Sequence, residues 1–166
     1  MQYLSSLSRR RLRAPPVLFV AGTQPRAPGP ILRRMSLSAV AVLRQIYESW
    51  GRGDLRAGVE LFDPHVLLVI QPDFPDAGTY CGPDEVRGYM RQLLSAFDDF
   101  TISGEEFIDA GDSVVVRVRQ RATGTGSGAP TRHDYFQVWS FRGKSVIRIE
   151  SIRDRADALG AVGLGE

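Results

Sequence analysis

The sequence lacks the residues that several common kinds of site require. Cys81 is the only cysteine among 166 residues, which excludes a disulfide framework and a cysteine-based metal cluster. His65 and His133 are the only histidines, and they lie far apart along the chain. We therefore expect no metal and no cofactor. Since no apolar run approaches the ~20 residues of a membrane span, we also expect a cytoplasmic protein without a membrane partner.

Acidic residues are absent from the first 34 positions, which contain seven arginines. Residues 35–166 hold 14 Arg and Lys against 19 Asp and Glu, a net charge of −5, so the overall charge of +2 comes from the N-terminal segment. This distribution argues against a basic nucleic-acid-binding surface on the domain. We interpret residues 1–34, with five prolines, as a disordered basic extension or a mis-assigned start, a transit peptide being the alternative. Residues 35–166 form the single predicted domain.

Helical spacing begins at Ser38, which is a suitable N-cap. The apolar residues that follow on one face are Val40, Leu43, Tyr47 and Trp50. Asp54 is predicted to cap a second short helix, and the sequence "HVLLVI" a first strand ending at Ile70.

The stretch "TYCGPDEVRGYM" predicts the start of a third helix with Gly82 as N-cap. The apolar stripe predicted for this helix is Val86, Met90, Leu93, Leu94 and Phe97. Pro83 is tolerated at the first helical position, and Asp84 and Glu85 place negative charge at the positive end of the helix dipole. The Pro- and Gly-rich segment between Ile70 and this helix is predicted to be a loop.

After Asp99 the pattern indicates strands. The sequences "FTISGEEFIDAG", "SVVVRVRQRATG", "RHDYFQVWSF" and "SVIRIESIR" read as four strands joined by hairpins, followed by a short helix that Asp154 could cap. Helices followed by a run of strands favour an α+β fold, with the helices packed on one face of an antiparallel sheet.

Three segments resemble the nuclear transport factor 2-like superfamily, in its SnoaL-like branch. They are "LRQIYESWGRGDLRAGVELFDPHVLL", "GTYCGPDEVRGYMRQLLSAFDDF" and "FQVWSFRGKSVIRIESIRDRADALGAVGL". The resemblance implies a cone: a curved antiparallel sheet around three N-terminal helices, with one pocket and a homodimer formed through the sheet. It leaves open a small-molecule-binding protein, a cofactor-independent isomerase, cyclase, dehydratase or hydrolase, and a protein–protein interaction module, because fold does not fix function.

The resemblance gives three candidates for acid–base catalysis: Asp73, His133 and Tyr135. A ketosteroid isomerase needs a carboxylate at the end of the first strand, where this chain has Gln71, and Asp73 lies two residues further on. His133 and Tyr135 share one strand face, as in a scytalone dehydratase-like site. The alternative interpretations are a turn-forming aspartate and a partly solvated strand-end histidine. Gln120 and Ser151 occupy the carboxylate positions of a limonene-type epoxide hydrolase, which disfavours that activity.

The predicted pocket is mostly apolar with a few neutral polar groups, which suits a small hydrophobic ligand. Arg153, on the last strand, either extends into solvent along its own stem or points inward, where it requires a partner such as Asp73, Asp76 or the ligand itself. In the second case the ligand could carry an anionic or carbonyl group. The proposed ligand-binding residues are Tyr47, Trp50, Gln71, Tyr80, Gln120, Gln137, Trp139, Ser151 and Arg153. The outer sheet face is predicted to be a mixed surface that can form a homodimer. It carries Val115, Phe136, Val138 and Ile152 among Arg117, Arg119, Arg148 and Glu150.

Overall fold

A computed structural model describes residues 30–165 of the chain. Predictions for residues 1–29 lie outside the described residues. The helices are α1 (Pro30–Gly51), a 3-10 turn (Val59–Leu61), α2 (Gly82–Ser95) and α3 (Arg155–Gly160). The strands are β1 (Phe62–Ile70), β2 (Gly78–Cys81), β3 (Phe97–Asp109), β4 (Ser113–Gly124), β5 (Pro130–Arg142) and β6 (Ser145–Ile152). None of the described helices is both long and apolar enough to cross a membrane.

All six strands form one sheet in the order β2-β1-β6-β5-β4-β3. The predicted α+β class is confirmed. The sheet is mixed rather than wholly antiparallel, because β1 runs parallel to β6 while every other neighbouring pair is antiparallel. Two register shifts in the β3–β4 pairing interrupt the regular ladder, and such irregularities bend a strand.

Helix α1 begins at Pro30, eight residues before the predicted cap at Ser38, so the predicted start is wrong. Between Pro30 and Gly51 the sequence contains no further proline or glycine that would interrupt a helix. Pro30 itself occupies the first turn, where its missing N–H is not needed. The helix therefore extends into the segment assigned to the tail, while the boundary at residues 34 and 35 remains a prediction.

The predicted second helix after Asp54 is also wrong, because turns and a three-residue 3-10 helix occupy this segment. Gly58 precedes the 3-10 helix with a φ of 90°, a conformation that an α-helix does not contain. A side chain at this position would also lie only 2.6 Å from Ile46 of α1. Gly58 therefore lets the chain turn tightly against α1.

Helix α2 begins at Gly82 with Cys81 as N-cap, one residue earlier than the sequence predicts, so Pro83 occupies the second position of the first turn. Strand β2, Gly78–Cys81, lies in the segment that the sequence predicts to be a loop, and it pairs antiparallel with the end of β1. Phe97, which was assigned to the apolar stripe of α2, instead begins β3. The loop that connects β1 to β2 is thus short, covering residues 71–77, and it is fixed at both ends by the sheet.

The main core lies between α1 and the inner face of the sheet. Its fully buried members include Leu43, Val66, Val116, Trp139 and Val146, each 0% exposed. The predicted alternation along β4 places Val114, Val116 and Val118 on this inner face. Helix α2 also contributes Val86 to this core.

A second, smaller core lies on the outer face, where α3 packs. Val115, Val138 and Ile152 are buried there with Ala158 of α3. Asp154 caps this helix by accepting hydrogen bonds from two backbone N–H groups. The sequence predicts these three side chains to be part of a mixed dimer surface, which is wrong for them because α3 of the same chain covers them.

Candidate ligand-binding cavity

Two cavities adjoin between α2, the β1–β2 loop and the inner face of the sheet. The large cavity measures about 1050 Å³ and the small cavity about 370 Å³. Binding pockets for small molecules usually fall in this size range. The residues that line both cavities are Ile70, Tyr89, Leu93, Gln120, Tyr135 and Ser151.

A buried hydrogen-bonded network forms one wall of the large cavity. The indole N–H of Trp139 donates to the Tyr47 hydroxyl at 3.1 Å, and that hydroxyl in turn donates to Oε1 of Gln137. The Gln137 amide lies 3.5 Å from the hydroxyl of Ser151. Burial raises the pKa of Tyr47 well above its ordinary value, so the hydroxyl stays protonated and keeps its role as donor. The network thus fixes the orientation of the Gln137 amide at the cavity wall.

A carboxylate and a phenol face the small cavity. The Tyr89 hydroxyl donates to Oδ2 of Asp76 at 2.5 Å, joining α2 to the β1–β2 loop. Burial, followed by this hydrogen bond, raises the pKa of Tyr89, and burial, followed by the charge of Asp76, raises the pKa of Tyr135. Both phenols therefore remain protonated at neutral pH and can donate hydrogen bonds, whereas Asp76 is an acceptor.

Aromatic rings surround this carboxylate. The rings of Tyr80 and Tyr89 lie 4.7 Å apart between centroids, and those of Phe74 and Tyr135 lie 5.5 Å apart, edge to face. All four residues line the small cavity. The small cavity therefore combines apolar walls with one acidic group.

Arg153 and Asp73 form a contact that fastens the β1–β2 loop to the end of β6. The Arg153 guanidinium donates to Oδ2 of Asp73 at 3.1 Å and to its backbone carbonyl at 2.7 Å. The same guanidinium lies 4.6 Å from the centroid of the Phe74 ring. Neither Arg153 nor Asp73 is among the described residues that line the cavities. Their contacts instead position Phe74, which does line the small cavity.

Of the ten remaining residues proposed from the sequence, eight line one or both cavities and two do not. Tyr80 and His133 line the small cavity; Trp50, Gln137 and Trp139 line the large one; and Gln120, Tyr135 and Ser151 line both. Tyr47 is buried behind the large cavity wall. Gln71 is directed toward Glu150, with its amide 2.7 Å from a carboxylate oxygen. The structure therefore brings eight of the proposed residues to the cavities.

Sequence reasoning missed Tyr89 entirely and mentioned Asp76 only as a partner for Arg153. Tyr89 lies three residues after Val86 and four before Leu93, and both of these belong to the apolar stripe predicted for α2. This spacing could have placed Tyr89 on the inward face. The choice between Asp73 and Asp76 had no such signal, because both lie in the same Pro-rich loop. Within residues 30–165, His, Cys, Asp and Glu form no group of three that could hold a metal ion.

The Arg153 contact leads to a prediction about ligand binding. We expect Arg153→Met to weaken binding of charged and uncharged ligands by similar factors, because the substitution releases the loop that carries Phe74. The effect on stability should stay below about 1 kcal/mol, since both partners of the ion pair are substantially exposed. Titration calorimetry with matched ligands and urea unfolding would measure the two effects. Selective loss of an anionic ligand would show that Arg153 contacts it directly.

Comparison with known proteins identifies the family. The SnoaL-like domain family matches residues 43–149, which is more than half of the chain, and the chain belongs to this family. A search of curated proteins finds no match.

Solved structures share the fold. A nuclear transport factor 2-like protein of unknown function from Burkholderia pseudomallei is 23% identical over 78% of this chain and 98% of its own, with a TM-score of 0.61. Another from Burkholderia thailandensis is 25% identical over 75% and 95%, with a TM-score of 0.63. A protein with a ketosteroid isomerase-like fold from Catenulispora acidiphila, solved with trimethylamine, is 15% identical over 74% and 92%, with a TM-score of 0.59. At these identities the likeness supports the fold and leaves the ligand to the cavity residues.

Proposed function

We propose that this chain binds a small, mostly apolar molecule in the two adjoining cavities. The observation that carries the proposal is the open volume between α2 and the sheet, lined mainly by apolar and aromatic side chains with a few oriented polar groups. The lining of the large cavity also includes charged side chains: Asp54, Arg56, Glu60, Arg87 and Arg91. A filled cone was the feature expected of a protein–protein interaction module. The two cavities therefore favour a small-molecule function over that alternative.

A substitution that fills the space where the two cavities adjoin tests this proposal. Leu93 lines both cavities from α2, so Leu93→Trp introduces bulk where a ligand must lie. We expect this variant to bind the uncharged apolar fluorophore N-phenyl-1-naphthylamine at least about tenfold more weakly than the wild type, a loss of about 1.4 kcal/mol. Fluorescence titration measures the affinity.

The matched control is Leu164→Trp, the same substitution at a side chain that is 47% exposed near the C-terminus. This variant should bind the probe like the wild type. Circular dichroism establishes that both variants are folded. Unchanged probe affinity in folded Leu93→Trp would contradict the proposal, because the probe would then bind outside the cavities.

A cofactor-independent enzyme of the isomerase, cyclase, dehydratase or hydrolase type is a second candidate. It is favoured by two titratable groups that line the small cavity, Asp76 and His133. Tyr135 could assist as a hydrogen-bond donor, whereas Asp73 would act only through the loop. For any substrate that is turned over, rates equal to wild type in both Asp76→Asn and His133→Gln would contradict acid–base catalysis here.

Assembly as a homodimer is also proposed, through the charged part of the outer sheet face. The outer face of β3–β5 carries charges of both signs, including Arg119, which lies 3.1 Å from Glu105 and 3.0 Å from Asp134. A mixed surface of this kind can pair with a second copy of itself. Light scattering that gives the monomer mass at micromolar concentration would contradict a dimer.

A further inference from the structure

Asp76 is a carboxylate without a cationic partner. It takes part in none of the seven ion pairs found within residues 30–165, and its only hydrogen bond recorded there comes from Tyr89. Asp73, three residues earlier in the same loop, is by contrast held by Arg153. The small cavity therefore contains a half-buried negative charge that the described part of the chain does not neutralise. Such a charge favours a cation beside it, because burial weakens the solvation of the carboxylate.

The residues around Asp76 also suit a cation. Tyr80, Tyr89 and Tyr135 present aromatic rings to the small cavity, and ring faces attract ammonium groups. Phe74 also lines this cavity, but Arg153 already lies over its ring. Among the described residues no arginine or lysine lines this cavity, and its one basic side chain is the exposed imidazole of His133. A ligand with a negative group would meet Asp76 without a compensating charge.

Tyr89 fixes which part of the carboxylate a ligand can reach. Its hydroxyl occupies Oδ2 at 2.5 Å, while Oδ1 has no hydrogen bond from within residues 30–165. The phenol cannot neutralise the charge, because it remains a protonated donor. The carboxylate is thus oriented by the protein and still able to accept a hydrogen bond from an N–H group.

We propose that the ligand of the small cavity is a small amine in its ammonium form, with an apolar body, whose charged nitrogen binds beside Asp76 among the rings of Tyr80, Tyr89 and Tyr135. This inference rests on the proposed function, because it specifies the chemistry of the ligand in the same cavities. It replaces the anionic or carbonyl-bearing ligand that Arg153 suggested from the sequence. The apolar body lies toward Leu93 and Ile70, where the small cavity adjoins the large one.

Three probes of similar size and different charge test the proposal: benzylammonium, benzyl alcohol and benzoate. Each is titrated near neutral pH into the full-length protein, with affinity measured by NMR chemical shifts of ¹⁵N-labelled backbone amides. We expect benzylammonium to bind at least about tenfold more tightly than benzyl alcohol, and benzoate to bind most weakly. The shifted amides should include those of residues 74–77 and 89.

Two variants locate the charge that discriminates among the probes. Asp76→Asn should reduce benzylammonium affinity to that of benzyl alcohol while leaving benzyl alcohol binding nearly unchanged. Asp84→Asn removes the same charge from a 96% exposed side chain outside both cavities and should retain the preference for the cation. The comparison among probes on the wild-type protein stands even if a variant fails to fold.

The possible outcomes separate this inference from the proposed function. If benzyl alcohol or benzoate binds as tightly as benzylammonium, the ammonium proposal is overturned while the binding function stands. The same holds if Asp76→Asn folds and retains the preference for the cation. If no probe binds at millimolar concentration and the naphthylamine probe also fails to bind, both proposals are overturned.

Discussion

Replacing Trp139 with alanine should lower the free energy of unfolding by about 3–5 kcal/mol, the usual loss when a large buried aromatic side chain is removed. The indole is 0% exposed and contacts the rings of Tyr47 and Trp50, with centroids 6.2 and 5.9 Å away. Its loss also removes the indole N–H, from which the Tyr47 hydroxyl accepts a hydrogen bond. Urea unfolding followed by circular dichroism measures the change.

Trp139→Phe provides the control for this prediction. Phenylalanine keeps an aromatic ring in the same place, so the loss should be clearly smaller than for alanine. A loss below about 1.5 kcal/mol for Trp139→Ala would mean that this side chain contributes little to the core. The large cavity, which Trp139 lines, would then tolerate enlargement without affecting the sheet.

Replacing Tyr47 with phenylalanine should cost about 2–4 kcal/mol, because one missing hydroxyl leaves two buried polar groups without partners. Oε1 of Gln137 loses its donor and the indole N–H of Trp139 loses its acceptor. Gln137 is only 8% exposed, so water has little access to its side chain. Thermal unfolding and urea unfolding should both report the loss.

Tyr80→Phe is the matched control, since it removes a hydroxyl with no hydrogen-bond partner recorded within residues 30–165. Its effect on stability should stay within about 0.5 kcal/mol. Equal effects of the two tyrosine substitutions would contradict the importance of the buried network. A small effect of Tyr47→Phe alone would indicate that water enters from the large cavity and satisfies both groups.

The strands of the fold were more predictable than the helices. Strand β4 follows a clear alternation of valines, and its predicted range, Ser113–Gly124, agrees with the structure. Helix α1 began earlier than predicted because proline at a first turn was read as a helix breaker. The parallel pairing of β1 with β6 had no local signal, since it depends on residues about 80 positions apart.

The sequence predicts which strand residues face the cavities better than it predicts which loop side chains do. Alternation along β5 correctly places Tyr135, Gln137 and Trp139 on the inner face, where each is buried. Loop residues follow no such period, so Asp73 and Asp76 could not be distinguished. Their difference arises from one tertiary contact: Arg153 binds Asp73 and leaves Asp76 to the cavity.

The parallel pairing of β1 with β6 also affects the order in which the chain can fold. Strands β3 to β6 are joined by short hairpins and can pair soon after they are synthesised, whereas β1 must wait for β6, the last strand of the chain. Contacts between such distant segments require the closure of a long loop and generally form slowly. Strand β2, which pairs only with β1, and the loop with Asp76 can therefore reach their final positions only after nearly the whole domain has left the ribosome. Until then β1 can pair only with β2, and its other edge has no partner, so this step is where the protein is most exposed to aggregation.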